Sequence, residues 1–198
     1  MRWRVKILAL ACVSITVAAG ADNKSEGFRP GAASTFANKQ TQKGLVVAAA
    51  VYQSDEETKP AFGKLNPNKY GVLPVLLVME NTGSEVLRLA NLEVRYVDSR
   101  RRKISSIPAG EVRYLTPVDK PKVARAPIPG LNRGKKNPLA AEEIETRAFA
   151  AKMLPPGESA HGFFYFSSGH DSGAMLLVTG IEEAASGKEL FYIEIPLE

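Results

Sequence analysis

Short apolar runs separated by turn clusters constrain the fold of this chain more strongly than any other sequence feature. Residues 75–79 form a continuous apolar run that suits a strand buried on both faces, although its period alone does not exclude a helix. Pro74 just before the run favours the start of a strand over a helix interior. Farther along, Leu92, Val94 and Tyr96 recur at every second position, which is the period of a half-buried strand.

The same pattern recurs along the chain and predicts seven or eight short strands. They are predicted at residues 45–52, 75–79, 92–97, 162–167, 174–181 and 190–195, and the stretch 104–115 can hold two more short ones. The alternation of strands and helices that builds parallel sheets does not occur, so the chain is predicted to be mainly β and to form an antiparallel β-sandwich. Residues 54–59 are charged and are interpreted as a loop.

A long basic connection and one short helix interrupt the predicted strands. Residues 117–137 are rich in proline and basic side chains and are predicted to form a long loop. Asn137 can cap a helix that starts at Pro138. Glu142 and Glu143 near its start and Lys152 near its end match the helix dipole. The predicted helix covers residues 138–153.

The first 21 residues have the features of a secretory signal peptide. Arg2, Arg4 and Lys6 precede an apolar core of about 11 residues, which is too short for the roughly 20 that cross a bilayer as a helix. Cleavage near Ala21/Asp22 would export the protein to the periplasm or the extracellular space. The chain is therefore predicted to be exported and not transmembrane.

Cys12 leaves a second interpretation open, because a bacterial lipoprotein signal ends at a cysteine that carries the lipid anchor. The residues before Cys12 are Ala9, Leu10 and Ala11, and the apolar stretch continues beyond it, so ordinary cleavage near residue 22 is favoured. After cleavage, residues 22–42 are predicted to be a flexible spacer, because they are polar and have no period. Residues 43–198 are predicted to form a single domain.

Charge and cysteine content argue against a nucleic-acid partner, a disulfide and a thiolate metal site. Removal of residues 1–21 takes away three basic residues and no acidic ones, which lowers the formal net charge from +5 to +2. Such a small excess gives no reason to expect a nucleic-acid partner. Cys12 is the only cysteine, so the exported chain has neither a disulfide nor a thiolate metal site.

Two stretches resemble a known kind of domain. Residues 70–83, YGVLPVLLVMENTG, resemble a strand and turn of immunoglobulin-like sandwiches, and residues 154–166, LPPGESAHGFFYF, resemble a strand entry in the same domains. Exported bacterial proteins of uncharacterised function combine the two, as, more distantly, do sandwich domains of the late-embryogenesis-abundant type. The resemblance covers roughly residues 45–115 and 147–197. It implies an immunoglobulin-like β-sandwich and supplies no catalytic residues.

The sequence offers few groups for catalysis, so the protein is predicted not to be an enzyme. His161 and His170 are the only histidines, which is fewer than zinc sites usually need, although Glu158 or Asp171 could complete a site across strands. Ser168, His170 and Asp171 are close in sequence, but catalytic triads assemble from separated segments. Glu142, Glu143 and Glu145 are interpreted as surface residues. No cofactor or metal is expected.

The function predicted from these features is that of a non-catalytic interaction or structural module of the cell envelope, with an envelope protein as partner. Two basic segments are the candidate contacts, although each also suits an ordinary exposed turn or loop. Their residues are Arg100, Arg101, Arg102, Lys103, Lys120, Lys122, Arg125, Arg133, Lys135 and Lys136. The alternative is a carrier of an apolar small ligand or lipid, because the aromatic residues at 163–166 exceed what one buried strand face requires.

Overall fold

The computed structural model describes residues 27–115, 137–190 and 192–198. The strands are β1 (Lys39–Gln42), β2 (Leu45–Val51), β3 (Leu73–Asn81), β4 (Leu87–Arg88), β5 (Glu93–Val97), β6 (Lys103–Ser105), β7 (Met153–Leu154), β8 (Ser159–Phe166), β9 (Ala174–Thr179), β10 (Glu182–Glu183) and β11 (Ile193–Leu197). The α-helices are α1 (Asp55–Phe62), α2 (Ala109–Val112) and α3 (Glu142–Thr146), and short 3₁₀ turns cover Ala33–Thr35, Pro67–Tyr70 and Pro138–Ala140.

The strands form two four-stranded sheets and one small sheet, and all their pairings are antiparallel. The inner sheet has the order β1-β2-β3-β8, and the outer sheet has the order β11-β9-β5-β6. The small sheet, β10-β4-β7, consists of two-residue strands. The longest pairing joins β3 to β8, from Leu73 opposite Phe166 to Glu80 opposite Ser159. This arrangement confirms the predicted mainly β, antiparallel sandwich.

The inner sheet is buried on both faces, because alternate side chains of β3 enter two different cores. Leu77 and Met79 belong to the core between the two large sheets. Leu76 and Val78 belong to a second core on the opposite face. In contrast, β11 of the outer sheet alternates buried and exposed positions. The continuous apolar run at residues 75–79 therefore follows from a strand with protein on both sides, as predicted.

A layer of short helices and turns covers the second face of the inner sheet. Phe62 of α1, Val112 of α2 and Ile144 of α3 are buried in this second core. The ring of Phe163 lies at its centre, with its centroid 4.8 Å from that of Phe62 and 5.4 Å from that of Phe28. The aromatic residues at 163–166 thus pack into two protein cores, which accounts for their number without a ligand.

Helix α1 lies where the sequence was interpreted as a loop, so that interpretation is wrong. Ser54 caps the helix: its hydroxyl accepts a hydrogen bond from the backbone N–H of Glu57 at 3.1 Å. The Glu57 carboxylate accepts in return from the backbone N–H of Ser54 at 2.8 Å. Charged side chains occupy most exposed positions, but Thr58, Ala61 and Phe62 are buried. The helix was not predicted because most of its side chains are charged and its buried face is narrow.

The predicted spacer is too long at its C-terminal end. Residues 39–42 form β1, which pairs with β2 from Lys39 opposite Ala48 to Gln42 opposite Leu45. Farther upstream, the backbone N–H of Ala33 donates to the Glu80 carboxylate at 2.7 Å. Polar side chains suit these positions because β1 is an exposed edge strand. Residues 22–26 of the predicted spacer lie outside the described residues.

The predicted helix over residues 138–153 is also wrong in length. Asn137 acts as a cap, because its side chain accepts a hydrogen bond from the N–H of Leu139 at 3.0 Å, but it caps only the 3₁₀ turn Pro138–Ala140. The α-helix starts later than predicted, at Glu142, after an extended Ala141. The α-helix ends at Thr146, however, because the chain then pairs with the edge of β8. The N–H of Phe163 donates to the Arg147 carbonyl at 2.8 Å, and the N–H of Phe149 donates to the Phe163 carbonyl at 3.2 Å. Strand pairing replaces the later helical turns.

The stretch 104–115 holds one strand and one helix where two short strands were predicted. Strand β6 is followed by α2, whose Val112 is fully buried. Between them, the backbone N–H of Ile107 donates to the Tyr165 carbonyl at 2.7 Å. This bond carries the chain from the edge of the outer sheet to the edge of the inner sheet. The helical layer therefore begins directly after the outer sheet ends.

Candidate interaction surface

The basic residues 100–103 lie at the tip of the β5–β6 hairpin. Val97 pairs with Lys103, and the chain between them forms a tight turn. The N–H of Asp98 donates to the Arg102 carbonyl at 3.1 Å, and the N–H of Arg101 donates to the Asp98 carbonyl at 2.9 Å. Arg100, Arg101, Arg102 and Lys103 are all exposed, as expected for a solvated hairpin tip. We call residues 98–103 the basic turn.

Asp98 holds the basic turn from inside. Its side chain is only 3% exposed. One carboxylate oxygen accepts from the backbone N–H of Arg100 at 2.9 Å and of Arg102 at 2.8 Å, and the other accepts from the Arg102 Nε at 2.6 Å. Burial alone raises the pKa of this carboxyl, but the hydrogen bonds and charge of Arg102 outweigh burial and lower it. Asp98 is therefore ionised whenever the turn is formed at neutral pH.

Of the four cations of the basic turn, one forms an ion pair within the described residues and three are free to contact a partner. Arg102 forms an ion pair with Asp98. Within the described ranges, Arg100, Arg101 and Lys103 take part in no ion pair. Arg101 has a positive φ of 65°, a backbone conformation in which glycine is usual and a long side chain is uncommon. An arginine thus occupies the most exposed bend of the turn at a conformational cost.

The loop between β8 and β9 anchors the basic turn from a second side. The Asp171 carboxylate accepts hydrogen bonds from both the hydroxyl and the backbone N–H of Ser99. These bonds lower the pKa of Asp171. The backbone N–H of Asp171 donates to the Tyr96 hydroxyl at 2.7 Å, and that hydroxyl lies 3.3 Å from Nδ1 of His170. Two carboxylates, one phenol and one imidazole therefore fix the turn against the end of the sandwich.

The six basic residues of the predicted long loop lie outside the described residues: Lys120, Lys122, Arg125, Arg133, Lys135 and Lys136. The two flanks of this segment are close together. The side-chain amide of Asn137 donates to the carbonyl of Arg113 at 2.6 Å. Arg113 also forms an ion pair with Glu145. The described residues on the two sides of this segment therefore meet at one place in the helical layer.

The geometry does not assemble the catalytic or metal groups weighed from the sequence. His161 is exposed near the start of β8, whereas His170 lies beyond the end of that strand, and among the described residues no three potential ligands cluster as a metal site would require. The hydroxyl of Ser168 donates to the adjacent Gly169 carbonyl, and His170 faces Tyr96. Ser168 thus has a different partner from His170 and Asp171, which both contact the Tyr96 hydroxyl.

A polar cleft that the sequence did not indicate lies on the helical layer. It has a volume of about 280 Å³ and is lined by Gly27, Glu142, Glu143, Thr146 and Arg147. The Nε of Arg147 is buried and has no hydrogen-bond partner in the part of the chain that the structure describes. The residues immediately before Gly27 are not described, and the two glutamates give this cleft mixed charge.

Sequence reasoning identified the exposed cations of the basic turn but missed the groups that hold them. Asp98 followed by Ser99 at the end of a strand is a turn signal, because a carboxylate there can accept from the next backbone N–H groups. The partnership of Ser99 with Asp171 joins residues 72 positions apart. No local pattern could show that contact.

Comparisons with known proteins give no family. No protein-family model matches the chain, and no curated protein matches it. Three solved structures that align with it share 11–14% of its residues. A Bordetella pertussis protein provisionally assigned as ApaA is 14% identical over 76% of this chain and 87% of its own, with a TM-score of 0.37. A secreted protein of Mycobacterium tuberculosis is 11% identical over 83% of this chain and 95% of its own, with a TM-score of 0.34.

A third structure is a Bacillus subtilis protein provisionally assigned as a lipoprotein, which is 13% identical over 79% of this chain and 38% of its own, with a TM-score of 0.36. The sandwich assignment rests on the strand pairing described above, and the resemblance to named sandwich families stays a prediction. Within the described ranges, every helix is too short or too polar to cross a membrane.

Proposed function

We propose that this protein is a non-catalytic exported module that binds an acidic partner in the cell envelope through the basic turn. The observation that carries the proposal is the combination of three exposed cations, Arg100, Arg101 and Lys103, with a turn backbone that donates hydrogen bonds to buried Asp98 and to Asp171. The signal-like N-terminus supports export, and an envelope protein with a cluster of carboxylates is the partner class that this charge favours.

The ordered backbone of the turn matters because an isolated surface ion pair contributes little to the free energy of binding. Exposed pairs are typically worth about 0.2–1 kcal/mol, since long side chains lose freedom and salt screens the charges. A backbone that is already ordered reduces the further entropy lost on binding. Asp98 and Asp171 supply that order here, so three weak contacts can act together.

The alternative of an apolar carrier loses its supporting observation. It depended on the aromatic residues at 163–166, whose side chains now divide between the two cores. Phe163 and Tyr165 pack under the helical layer, and Phe166 packs between the large sheets. Phe164 stacks on Phe149 with ring centroids 5.5 Å apart. We therefore favour the interaction module.

Site-directed crosslinking in cells tests the proposal. The exported chain has no cysteine of its own, so Ser105→Cys on exposed β6 places a single thiol-reactive photo-crosslinker beside the basic turn. Ser84→Cys, exposed in the β3–β4 connection, provides the control position. We expect one defined envelope protein to be captured from position 105 and not from position 84.

Charge removal then decides whether the turn causes that capture. In the Ser105→Cys chain, Arg100→Gln, Arg101→Gln and Lys103→Gln together should reduce capture at least about tenfold, since three charge contacts are lost. Lys59→Gln, Lys64→Gln and Lys188→Gln remove the same charge from exposed positions elsewhere and should leave capture unchanged. Equal capture by the two triple variants would refute the role of the basic turn.

A further inference from the structure

His170 faces the hydrogen-bond network that holds the basic turn. The side chain is half-buried in the β8–β9 loop, with its ring centroid 6.3 Å from that of Tyr96. The Tyr96 hydroxyl accepts from the Asp171 N–H at 2.7 Å, which leaves its own proton for Nδ1 of His170 at 3.3 Å. This donation requires a neutral imidazole whose Nδ1 carries no proton. The arrangement therefore favours neutral His170 with its proton on Nε2.

Protonation of His170 would oppose this arrangement. A protonated Nδ1 is a donor, so the Tyr96 hydroxyl would have to turn its own proton away and accept from both His170 and Asp171. The phenol proton would at the same time lose its acceptor. The Asp171 backbone and carboxylate form one connection from Tyr96 to Ser99, so movement of the loop at residue 171 removes an anchor of the basic turn.

We propose that His170 is a proton-sensitive latch: neutral His170 keeps the β8–β9 loop closed on the basic turn, and its protonation loosens the turn. This regulates the surface proposed above, and its consequence for binding rests on that function. The latch itself is a property of the chain alone. It predicts that an acidic partner is held less firmly as the surrounding solution becomes acidic.

The electrostatic surroundings of His170 agree with a latch that is closed at neutral pH. Burial lowers the pKa of His170, and the charge of Asp171 opposes that effect only in part. In the basic turn, the charge of Asp98 raises the pKa of Asp171 and the charge of Arg100 lowers it. Tyr96 is the titratable neighbour from β5, and burial raises its pKa. Since the folded-state pKa of His170 lies below its unfolded value, folding is destabilised as pH falls below about 6.5.

Nuclear magnetic resonance of the isotope-labelled chain from Asp22 onward tests the latch between pH 4.5 and 8. The ring signals of His170 should titrate below pH 6.5, and the backbone amides of Ser99, Arg100 and Asp171 should shift with the same midpoint. Amide exchange at Ser99 and Asp171, corrected for the intrinsic rate, should speed up about fivefold to tenfold across that midpoint, as loss of one hydrogen bond implies.

Two variants isolate the histidine. His170→Asn keeps an acceptor at the position of Nδ1 but does not titrate in this range, so the amide transitions should vanish while the fold persists. His161→Gln removes the only other histidine, which is exposed, and should keep them.

Turn amides that stay fixed while His170 titrates, or that keep the same midpoint in His170→Asn, would overturn the latch. The chemical shifts and the amide exchange rates are measured without a partner. A negative result therefore contradicts the latch, whereas a negative crosslinking result contradicts the proposed binding function.

Discussion

Gly162 shows at the scale of one residue why β8 tolerates a neighbour at its edge. The segment 147–149 pairs with β8 so closely that a Cβ added at Gly162 would lie 2.3 Å from the Phe149 Cα and 2.4 Å from its nitrogen. Both atoms belong to the backbone, so rotation of a side chain does not relieve the overlap. Glycine at this position permits the pairing that ends the predicted helix early.

We predict that Gly162→Ala destabilises the protein by about 2–3 kcal/mol, the upper range for added volume in a packed site. The free energy of unfolding in urea measures the effect. Gly110→Ala is the matched control, because nothing lies within 4 Å of a Cβ added there and Gly110 lies within α2. Similar unfolding free energies for the two variants would show that the close approach at residue 162 does not exist.

At the scale of elements, sequence patterns predicted the long buried strands well, but they missed the exposed strand β1 and predicted the helices poorly. Strands β3 and β5 could be predicted because burial on two faces or on one leaves a distinct apolar period in the chain. Helix α1 has only one narrow buried face, and its charged side chains hid it. The serine at 54 and the glutamate at 57 were nevertheless a readable signal, since this spacing is typical of a capping box.

Ser54→Ala tests that cap. We expect it to lower the free energy of unfolding by about 1 kcal/mol, because the N–H of Glu57 loses its acceptor and the helix end frays. Ser54→Thr keeps a hydroxyl that accepts from the N–H of Glu57 and donates to its carboxylate, so it should retain most of the stability. Urea unfolding of both variants checks the prediction, and a threonine variant as unstable as the alanine variant would argue against a capping role.

At the scale of the whole molecule, the protein has three layers where the sequence indicated two. The outer and inner sheets form the predicted sandwich, and the helical layer adds a second core on the inner sheet. The sequence also predicted only part of the candidate surface. Arg100 and Arg101 form a charge run that can be read from the sequence. Tyr96, Asp171 and His170 come together only when the chain folds. Contacts between distant segments leave no local period.

Substitutions in the N-terminal segment test the third layer directly, because the sequence predicts a flexible spacer there and the structure shows a packed segment. Phe28 is half-buried, with its ring centroid 5.4 Å from that of Phe163 and 6.1 Å from that of Tyr52. Phe28→Ala should therefore reduce the free energy of unfolding by about 2 kcal/mol, less than for a fully buried phenylalanine. It should also raise binding of an apolar dye, since the face of Phe163 is uncovered.

Ser34→Ala, at an exposed position of the same segment, should change stability by less than about 0.5 kcal/mol. The contrast between these two substitutions separates the two descriptions of the N-terminus. A spacer would tolerate both changes equally, because neither side chain would contact the domain. A packed layer requires the aromatic ring and not the hydroxyl, so a difference of about 2 kcal/mol in urea unfolding would place the start of the folded domain before Lys39.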